Sequence, residues 1–337
     1  MFVISALAIQ WTATAHAATT APLLSSLAPS STFGSTVDKS DKSGCGSLPV
    51  ATIHAAHGVT FQMAVHHVDR VSLDWDWMSM SIQRDGFWEI RSPQEMGSLA
   101  NVTIPRPPAV FVDVGGNIGY YSLLFAKFGY RVYTFEPLHE NRRAINQSLC
   151  LNPDLRARIT VIPAAVGNPK PPLPSVVDAR SDIPTQSCVV SSSVHRTGEL
   201  NRGNGVMECG FGLTCKAHIA RQRAHWMAAQ SVRAHRKPRM FPGERVLCDE
   251  VRLVSIDQEL QRLGVQSVQA MKIDIEGAEC AALDGAQWLL SHLRPRVLQA
   301  ETKQPHVLRC LTQQAEQHGY KQGATVGDNT AFSPRSR

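Results

Sequence analysis

The chain of 337 residues contains no run of 18 or more apolar residues, which excludes an ordinary membrane-spanning helix. Its eight cysteines include no C-x-x-C pair, so a zinc ribbon is not expected. No nucleic-acid-binding motif accompanies its basic residues, and we therefore expect no nucleic-acid partner. Hydrophobic residues make up 43% of the chain, which is enough for one large α/β domain or two smaller ones.

The positive charge of the chain is concentrated in one segment. The formal net charge is +6, and residues 171–245 contain eleven Lys or Arg residues against five acidic residues. This segment lacks sustained apolar periodicity, so we interpret it as a mobile, basic insertion near the mouth of a site and not as a second catalytic domain. Its charge could also attract an acidic substrate.

The N-terminus has some features of a targeting segment. It contains no acidic residue before Asp38, and Ala15-His16-Ala17 resembles a signal-peptide cleavage site. The positive charge that begins a secretory signal is missing, and the Ser, Thr and Ala content also fits an organellar transit peptide. We predict a targeting segment and linker over residues 1–48, directing the chain to the secretory pathway or an organelle; without it the chain would be cytoplasmic.

Six of the eight cysteines fall into two groups. Cys150 and Cys280 lie in apolar helical patterns, which indicates core thiols. The other group lies in or beside the insertion and could form disulfides in an oxidising compartment. Its members are Cys188, Cys209, Cys215 and Cys248. The sequence leaves disulfides and free thiols open, and it does not indicate an oligomeric state.

Strand and helix patterns alternate from residue 109 onwards. The strand patterns are AVFVDV, RVYTFEP, RITVIPAAVG, VRLV, VQAMKIDI and RVLQAE. The helical patterns cover residues 118–128, 140–149, 255–263, 278–293 and 307–318. This alternation predicts an α/β fold with a mostly parallel sheet and helices on both faces. Before it, VTFQMAVHH and DGFWEIRS alternate apolar and polar residues, which predicts an N-terminal β addition over residues 49–108.

The stretch FVDVGGNIGYYS, residues 111–122, places a glycine-rich turn between the first strand and helix of this region. Glycines there let the backbone turn sharply and let a ligand approach closely. The second strand ends in Glu136, where an acid can accept both hydroxyls of a ribose. Asp113 would be unfavourable beside a dinucleotide pyrophosphate, but it suits a ligand that carries an ammonium and a sulfonium. The pattern favours S-adenosylmethionine over NAD. The predicted cofactor-binding residues are Asp113, Gly115, Gly116, Asn117, Gly119, Glu136 and Asp274.

A second block, MKIDIEGAECAALDGA at residues 271–286, concentrates charge at the carboxyl end of a central strand. Charges there are costly to bury unless they are paired or bound. A solvated loop, with Glu279 favouring the helix N-terminus, is the alternative. The predicted catalytic residues are Asp274, Glu276, Lys272 and Glu301. Asp274 and Glu276 are the nearest candidate bases, Glu301 ends the next strand, and Lys272 is a neighbouring cation.

Strand alternation suggests that only one of Asp274 and Glu276 faces the cleft, and we expect Asp274 to do so. Two or three of the carboxylates could instead hold a divalent ion. No residue is assigned as a metal ligand on the sequence alone.

The order and spacing of several segments resemble the FkbM-type family of methyltransferases over residues 109–325. These segments are DVGGNIGYYS, TFEP, AAVG, SIDQEL, KIDIEGAECAALDGA and RPRVL. The resemblance implies a class I methyltransferase fold, S-adenosylmethionine as cofactor, and O-methylation of a hydroxyl on a sugar, glycolipid or polyketide-like acceptor. It places the methyltransferase domain at residues 109–334, interrupted by the basic insertion. The alternatives are a non-catalytic protein that keeps the fold and a nicotinamide-dependent oxidoreductase.

Overall fold

A computed structural model of the chain describes residues 45–68, 74–169, 187–194, 200–231 and 246–335, all of which belong to one compact unit. Nearly all of the predicted targeting segment and linker lies outside the described residues. Within the described ranges, no helix combines the length and apolar character needed to span a bilayer.

Strands and helices alternate through most of the described chain. The strands are β1 (Val50–His54), β2 (Thr60–Ala64), β3 (Asp74–Trp75), β4 (Val110–Val114), β5 (Arg131–Phe135), β6 (Ile159–Ile162), β7 (Ala165–Val166), β8 (Ser187–Val194), β9 (Leu200–Gly210), β10 (Cys248–Val254), β11 (Ala270–Ile273), β12 (Val297–Glu301), β13 (Tyr320–Val326) and β14 (Asn329–Pro334). The helices are α1 (Trp77–Asp85), α2 (Pro93–Leu99), α3 (Tyr120–Lys127), α4 (His139–Leu151), α5 (Cys215–Ser231), α6 (Ile256–Arg262), α7 (Glu279–Asp284) and α8 (Pro305–Gln317).

The main sheet has seven strands in the order β13-β14-β12-β11-β4-β5-β6. The five strands from β12 to β6 in this order run parallel, and the final hairpin adds two antiparallel strands at the β12 edge. The predicted mostly parallel sheet is confirmed, whereas the final hairpin had no counterpart in the predicted pattern. The chain fills one side of β4 and then crosses to β11 on the other side. The carboxyl ends of β4 and β11 therefore meet where the strand order reverses, which is where such sheets bind ligands.

Helices cover both faces of this sheet, as predicted. Side chains alternate along each strand, so Phe111 and Val112 of β4 enter different cores. On one face, Phe111 stacks on Phe125 of α3, with ring centroids 3.7 Å apart, and α4 adds further apolar side chains. On the other face, Val112 belongs to a core that includes residues of α6, α7 and α8.

The region before β4 contains helices as well as strands. The hairpin of β1 and β2 buries Ile53 and Met63 in the same core as Phe111. The predicted strand over DGFWEIRS is wrong, because α1 runs to Asp85 and Gly86 caps it in the left-handed conformation. Only an isolated bridge between Trp88 and Ile90 remains of the predicted pairing.

The long helix predicted over residues 278–293 is interrupted after α7. A Cβ atom at Gly285 would clash with the carbonyl oxygen of Gly167, so the backbone here lies against a neighbouring loop. A separate π-helical turn follows at Leu289–Leu293. The carboxylate of Asp257 accepts hydrogen bonds from the backbone N–H groups of Trp288 and Leu289 at its start, at 2.7 and 2.9 Å.

All eight cysteines are paired. The disulfides are Cys45–Cys150, Cys188–Cys209, Cys215–Cys248 and Cys280–Cys310. The interpretation of Cys150 and Cys280 as free core thiols is therefore wrong. Eight cysteines allow 105 pairings, and the sequence around one cysteine carries no signal for a partner that only folding brings near.

The described part of the insertion has regular structure, contrary to expectation. Strands β8 and β9 form a hairpin within a five-stranded sheet of order β3-β9-β8-β10-β7, and α5 packs beside it. The packing of α5 uses polar contacts, because buried His218 lies 3.1 Å from the Ser191 hydroxyl and 3.0 Å from the Glu208 carboxylate. Apolar periodicity therefore did not reveal this helix. Residues 170–186, 195–199 and 232–245 lie outside the described residues, so the predicted mobility is not addressed there.

We expect the Cys215–Cys248 disulfide to hold α5 in place. The double variant Cys215→Ser and Cys248→Ser opens a 33-residue separation, for which chain entropy gives a loss of about 3–4 kcal/mol in the free energy of unfolding. Trypsin should then cut α5 after Arg221 or Arg223 faster than in the wild type, as followed by mass spectrometry. The pair Cys280→Ser and Cys310→Ser, with a similar separation of 30 residues, is the control and should leave α5 protected. Equal cutting of both double variants would contradict the prediction.

Candidate active site

A cavity of about 890 Å³ lies at the carboxyl ends of β4, β5, β11 and β12. Its walls include the glycine loop after β4, the loop after β11, residues of α1 and α2, the insertion hairpin and the turn between β13 and β14. The insertion therefore does reach the site, as the sequence predicted. The cavity joins the two glycine- and acid-rich blocks, which are about 160 residues apart in sequence.

Strand register brings the polar residues of these blocks side by side. One row across the sheet, from β5 to β12, consists of Thr134, Asp113, Lys272 and Gln299. Two positions further along the same four segments lie Glu136, Gly115, Asp274 and Glu301. Because alternate residues of a strand share a face, the first row belongs to the face on which α3 packs, whereas three residues of the second row follow the ends of their strands. Of these eight residues, Thr134 and Gln299 were not predicted.

The glycines of the loop are required by the packing of its backbone. Gly115 has φ +88°, and a Cβ atom there would clash with the carbonyl oxygen of Asp274. A Cβ atom on Gly116 would clash with the hydroxyl of Thr134. Gly119 caps α3 and lies against Ile145, and unlike Gly115 and Gly116 it does not line the cavity. Its predicted contact with the cofactor is therefore not supported by its position.

Glu136 lies at the end of β5 and organises two loops. Its carboxylate accepts hydrogen bonds from the backbone N–H groups of Asn117 and Leu138, both at 2.8 Å, and from the side-chain amide of Asn141 at 3.2 Å. Burial raises the pKa of Glu136 to about 7, against the lowering effect of these donors. A carboxylate offers about four acceptor positions, so a further hydrogen bond can be accepted.

Asp113 lies below the glycine loop and also lines the cavity. Its Oδ2 accepts a hydrogen bond from the hydroxyl of Ser122 at 2.6 Å, whereas Oδ1 is buried without a partner. Burial raises the pKa of Asp113 to about 6, although the nearby charge of Lys272 lowers it. The carboxylate therefore has an unused acceptor beside the cavity.

The buried side chain of Lys272 forms an ion pair with Asp274. Its Nζ donates to Oδ2 of Asp274 at 2.7 Å and lies 4.8 Å from the ring centroid of Tyr121. Burial alone would lower the pKa of Lys272, but the carboxylates around it, Asp274 first, raise it above its ordinary value. Tyr121 is held in turn, because its hydroxyl donates to Glu89 at 2.8 Å and accepts from Gln299 at 3.3 Å.

Three carboxylates, which we call the carboxylate cluster, meet at the cavity: Asp274, Glu276 and Glu301. One oxygen of each lies within 4.8 Å of the others. Desolvation and the charge of Asp274 raise the pKa of Glu276 to about 7 and that of Glu301 to about 8.

The expectation that only one of Asp274 and Glu276 faces the cleft is wrong. Both line the cavity, because β11 ends at Ile273 and Glu276 takes a left-handed conformation with φ +58°. Glu279 is buried and accepts hydrogen bonds from the backbone N–H groups of Ile275 and Gly277, both at 3.0 Å. It therefore fixes the loop that presents the carboxylate cluster.

Several site residues were not predicted from the sequence. Glu89 comes from the N-terminal region and Asn329 from the final hairpin, and their side chains hydrogen-bond each other at 3.2 Å. No local pattern marks either residue. Apolar Leu138, Ala164 and Val166 line the cavity near Glu136. Ala164 and Val166 belong to the AAVG segment. The position of this segment at the end of a predicted strand was a signal from which its place at the cavity could have been predicted.

The sequence profile described as the Methyltransferase FkbM domain matches residues 113–321, which is more than half of the chain. The chain belongs to the FkbM methyltransferase family. The family model and the site together identify a methyltransferase that uses S-adenosylmethionine. No protein among curated sequences matches this FkbM methyltransferase significantly.

Among solved structures, the FkbM methyltransferase is similar to the crystal structure of precorrin-6y C5,15-methyltransferase from Geobacter metallireducens GS-15. The two share 9% sequence identity with a TM-score of 0.36, and the match covers 74% of this chain and 89% of that chain. At this level the likeness carries no argument about substrate or mechanism.

The described residues fit S-adenosylmethionine. Gly115 and Gly116 line the cavity with backbone alone, and Asp113 offers an unpartnered carboxylate oxygen suited to a cationic ligand. Glu136 offers a buried acceptor at the end of the neighbouring strand. Apolar residues beside it form a wall suited to a nucleoside base.

Proposed function

We propose that this FkbM methyltransferase transfers a methyl group to a hydroxyl of a small-molecule or glycan acceptor, namely a sugar, glycolipid or polyketide-like compound. When bound, S-adenosylmethionine supplies a methyl group whose carbon bonds to the acceptor oxygen as its bond to sulfur breaks and sulfur keeps the electron pair. The observation that carries the proposal is that the carboxylate cluster and the glycine loop line the same cavity. Alignment of the reacting groups is then the main contribution of the protein.

Cofactor binding is assigned to the residues around the first two strand ends. Glu136 accepts one ribose hydroxyl, and Gly115 and Gly116 let the loop pack closely against Asp274 and Thr134 at the edge of the cavity. Asp113 faces the positive charges of the ligand. Asn117 acts through the loop, because its backbone N–H is bound to Glu136 at 2.8 Å.

Removal of the hydroxyl proton is assigned to Glu276. Asp274, the other candidate base and the residue that the sequence predicts to face the cleft, is engaged by Lys272 at 2.7 Å. Glu276 lines the cavity and, among the described residues, makes no hydrogen bond that would occupy its carboxylate. A positioned base of this kind contributes about 10²- to 10⁴-fold to the rate. Lys272 and Tyr121 act as positioning residues through Asp274.

Acceptor binding is assigned to the N-terminal addition and the insertion. Trp77 and Trp88 of the former and Met207 of the latter line the cavity. They supply a broad apolar surface, on which sugar or polyketide faces can pack. Both segments lie outside the core pattern of the family, so they are the natural source of acceptor specificity.

Two other functions are tested alongside this one. A non-catalytic protein with this fold would bind no cofactor or no acceptor, and an oxidoreductase would bind NAD. A thermal-shift comparison of S-adenosylmethionine, S-adenosylhomocysteine and NAD separates them. Binding of NAD alone would overturn the proposal. Mass spectrometry of glycans and lipids from cells lacking the protein then identifies the acceptor, as a compound that has lost one methyl group.

We predict that cofactor affinity depends on pH through Glu136. Its folded-state pKa is raised to about 7, so its carboxylate becomes protonated and loses acceptor capacity as the pH falls through that value. Hydrogen bonds to a charged acceptor contribute about 1.5–3 kcal/mol, but about a quarter of the Glu136 side chains stay ionised at pH 6.5, so S-adenosylhomocysteine should bind about three- to fourfold more weakly at pH 6.5 than at pH 8.5. Calorimetry measures this. The Glu136→Gln variant should bind weakly with a flat profile, and an unchanged pH slope in that variant would refute the assignment.

A further inference from the structure

We propose that Asp274, Glu301 and the side-chain amide of Asn329 bind one divalent metal cation. The three residues come from the end of β11, the end of β12 and the start of β14, and all three line the cavity. The binding site stands on its own observations, whereas its catalytic role rests on the proposed methyl transfer.

The spacing of the carboxylate oxygens suits a single ion. Those of Asp274 and Glu301, with Glu276 beside them, lie within 4.8 Å of one another. Oxygen ligands lie about 2.0–2.1 Å from Mg²⁺ and about 2.3–2.6 Å from Ca²⁺, so opposite ligands of one ion are separated by about 4–5 Å. These oxygens can therefore contact one cation without a large movement of the strands.

Asn329 provides the second, independent observation. It pairs with Glu301 in the antiparallel ladder between β12 and β14, and its side chain is only 8% exposed. Its Nδ2 donates to Glu89 at 3.2 Å, but its Oδ1 has no hydrogen-bond partner. A buried acceptor without a partner is destabilising, and a neutral amide oxygen is a usual ligand of hard cations.

The charge balance favours a divalent ion over an ammonium group. With all three carboxylates ionised, as a bound cation favours, the carboxylate cluster carries three negative charges against the one positive charge of Lys272, which is committed to Asp274. Lys303 lines the cavity and its charge acts on Glu276 and Glu301, but its side chain is 64% exposed and lies 3.9 Å from Asp328, whose negative charge offsets it. Two negative charges thus remain, which one divalent cation neutralises and a single ammonium does not. An acceptor oxygen beside the cation would have a lower pKa and pass its proton to Glu276 more readily.

Binding is tested without any methylation assay. Metal-stripped full-length protein is titrated with Mn²⁺, and free Mn²⁺ is followed by electron paramagnetic resonance, with Mg²⁺ and Ca²⁺ as competitors. One Mn²⁺ per chain is expected. The near-isosteric Glu301→Gln variant and the Asn329→Ala variant should each weaken binding by about tenfold or more. Glu95→Gln is the matched control, because Glu95 lines the same cavity outside the carboxylate cluster.

The proposal is overturned if the protein does not bind Mn²⁺, or if Glu95→Gln weakens Mn²⁺ binding as much as the other two variants do. It is also overturned if the protein binds methylammonium in place of Mn²⁺, which would assign the carboxylate cluster to an ammonium group. Calorimetry with S-adenosylhomocysteine on the same samples keeps the two proposals apart. Binding of S-adenosylhomocysteine without Mn²⁺ overturns the metal site alone. Binding of Mn²⁺ without S-adenosylhomocysteine supports the metal site and overturns the proposed function. Circular dichroism shows whether each variant is folded. If Asn329→Ala does not fold, the result for Glu301→Gln decides the test.

Discussion

Glu276→Gln should slow single-turnover methylation by about 10²-fold or more, with near-normal affinity for S-adenosylmethionine, because the amide cannot accept the hydroxyl proton. The side chain lines the cavity and keeps its size, so packing should be preserved. The rate is measured with the acceptor identified by mass spectrometry, and the affinity of each variant is measured separately by calorimetry.

Asp274→Asn is the informative comparison. Asp274 accepts a hydrogen bond from Lys272 at 2.7 Å. Removing the charge of Asp274 deprives the buried lysine of its ion-pair partner, which should reduce both the rate of methylation and the stability of the protein. If only Asp274→Asn lowers the rate while Glu276→Gln matches the wild type, Asp274 is the base and our assignment is wrong. If both variants lose cofactor binding together with the rate, the carboxylate cluster serves cofactor binding. Loss of the wild-type rate in EDTA would show that a metal ion is needed for the reaction.

Gly115→Ala should abolish measurable binding of S-adenosylhomocysteine. The new Cβ atom would clash with the carbonyl oxygen of Asp274, and the backbone has φ +88°, which side chains rarely adopt. The glycine loop and the loop after β11 would have to separate, so a single methyl group disturbs both halves of the site. The new Cβ atom clashes with backbone atoms and does not enter the space of the ligand. Even the smallest side chain, that of alanine, should therefore be enough to disrupt cofactor binding.

Gly264→Ala is the matched control for this prediction. Gly264 also has a positive φ, +66°, but a Cβ atom there meets nothing within 4 Å. The Gly264→Ala substitution should lower the free energy of unfolding by about 1 kcal/mol through backbone strain and leave cofactor binding intact. Thermal unfolding and calorimetry on both variants separate strain from the clash. Normal binding by a folded Gly115→Ala protein would show that the loop tolerates a side chain, contrary to the structure.

The parallel core could be predicted because its signals are local. Apolar strands such as Val110–Val114 are buried on both faces and read as continuous hydrophobic segments. The helical pattern predicted over residues 255–263 starts at Ser255, whose hydroxyl caps α6 by accepting a hydrogen bond from the backbone N–H of Gln258 at 3.2 Å. The placement of Asp113, Gly115 and Glu136 followed from the rule that parallel strands present their carboxyl ends at one edge.

The elements that were missed lack such local signals. Helix α5 packs through His218 and Gln222, which are polar, so apolar periodicity could not indicate it. The interruption at Gly285 depends on the carbonyl of Gly167, which lies in a different loop. The alternation argument for Asp274 and Glu276 failed because β11 ends at Ile273, and strand ends are poorly defined by sequence.

The sequence by itself determined the α/β class, the glycine loop, the acids at three strand ends and the family of this chain, because each depends on residues close together along the chain. Only the tertiary structure decided which of these acids meet and what surrounds them. Asn329 and Glu89 are 240 residues apart, and their hydrogen bond exists only because the final hairpin and the N-terminal region pack at the same cavity. Contacts between distant segments depend on how the whole core packs, and for that reason the close approach of the three carboxylates, the position of Asn329 opposite Glu301 and the four disulfides could be assigned only from the folded chain.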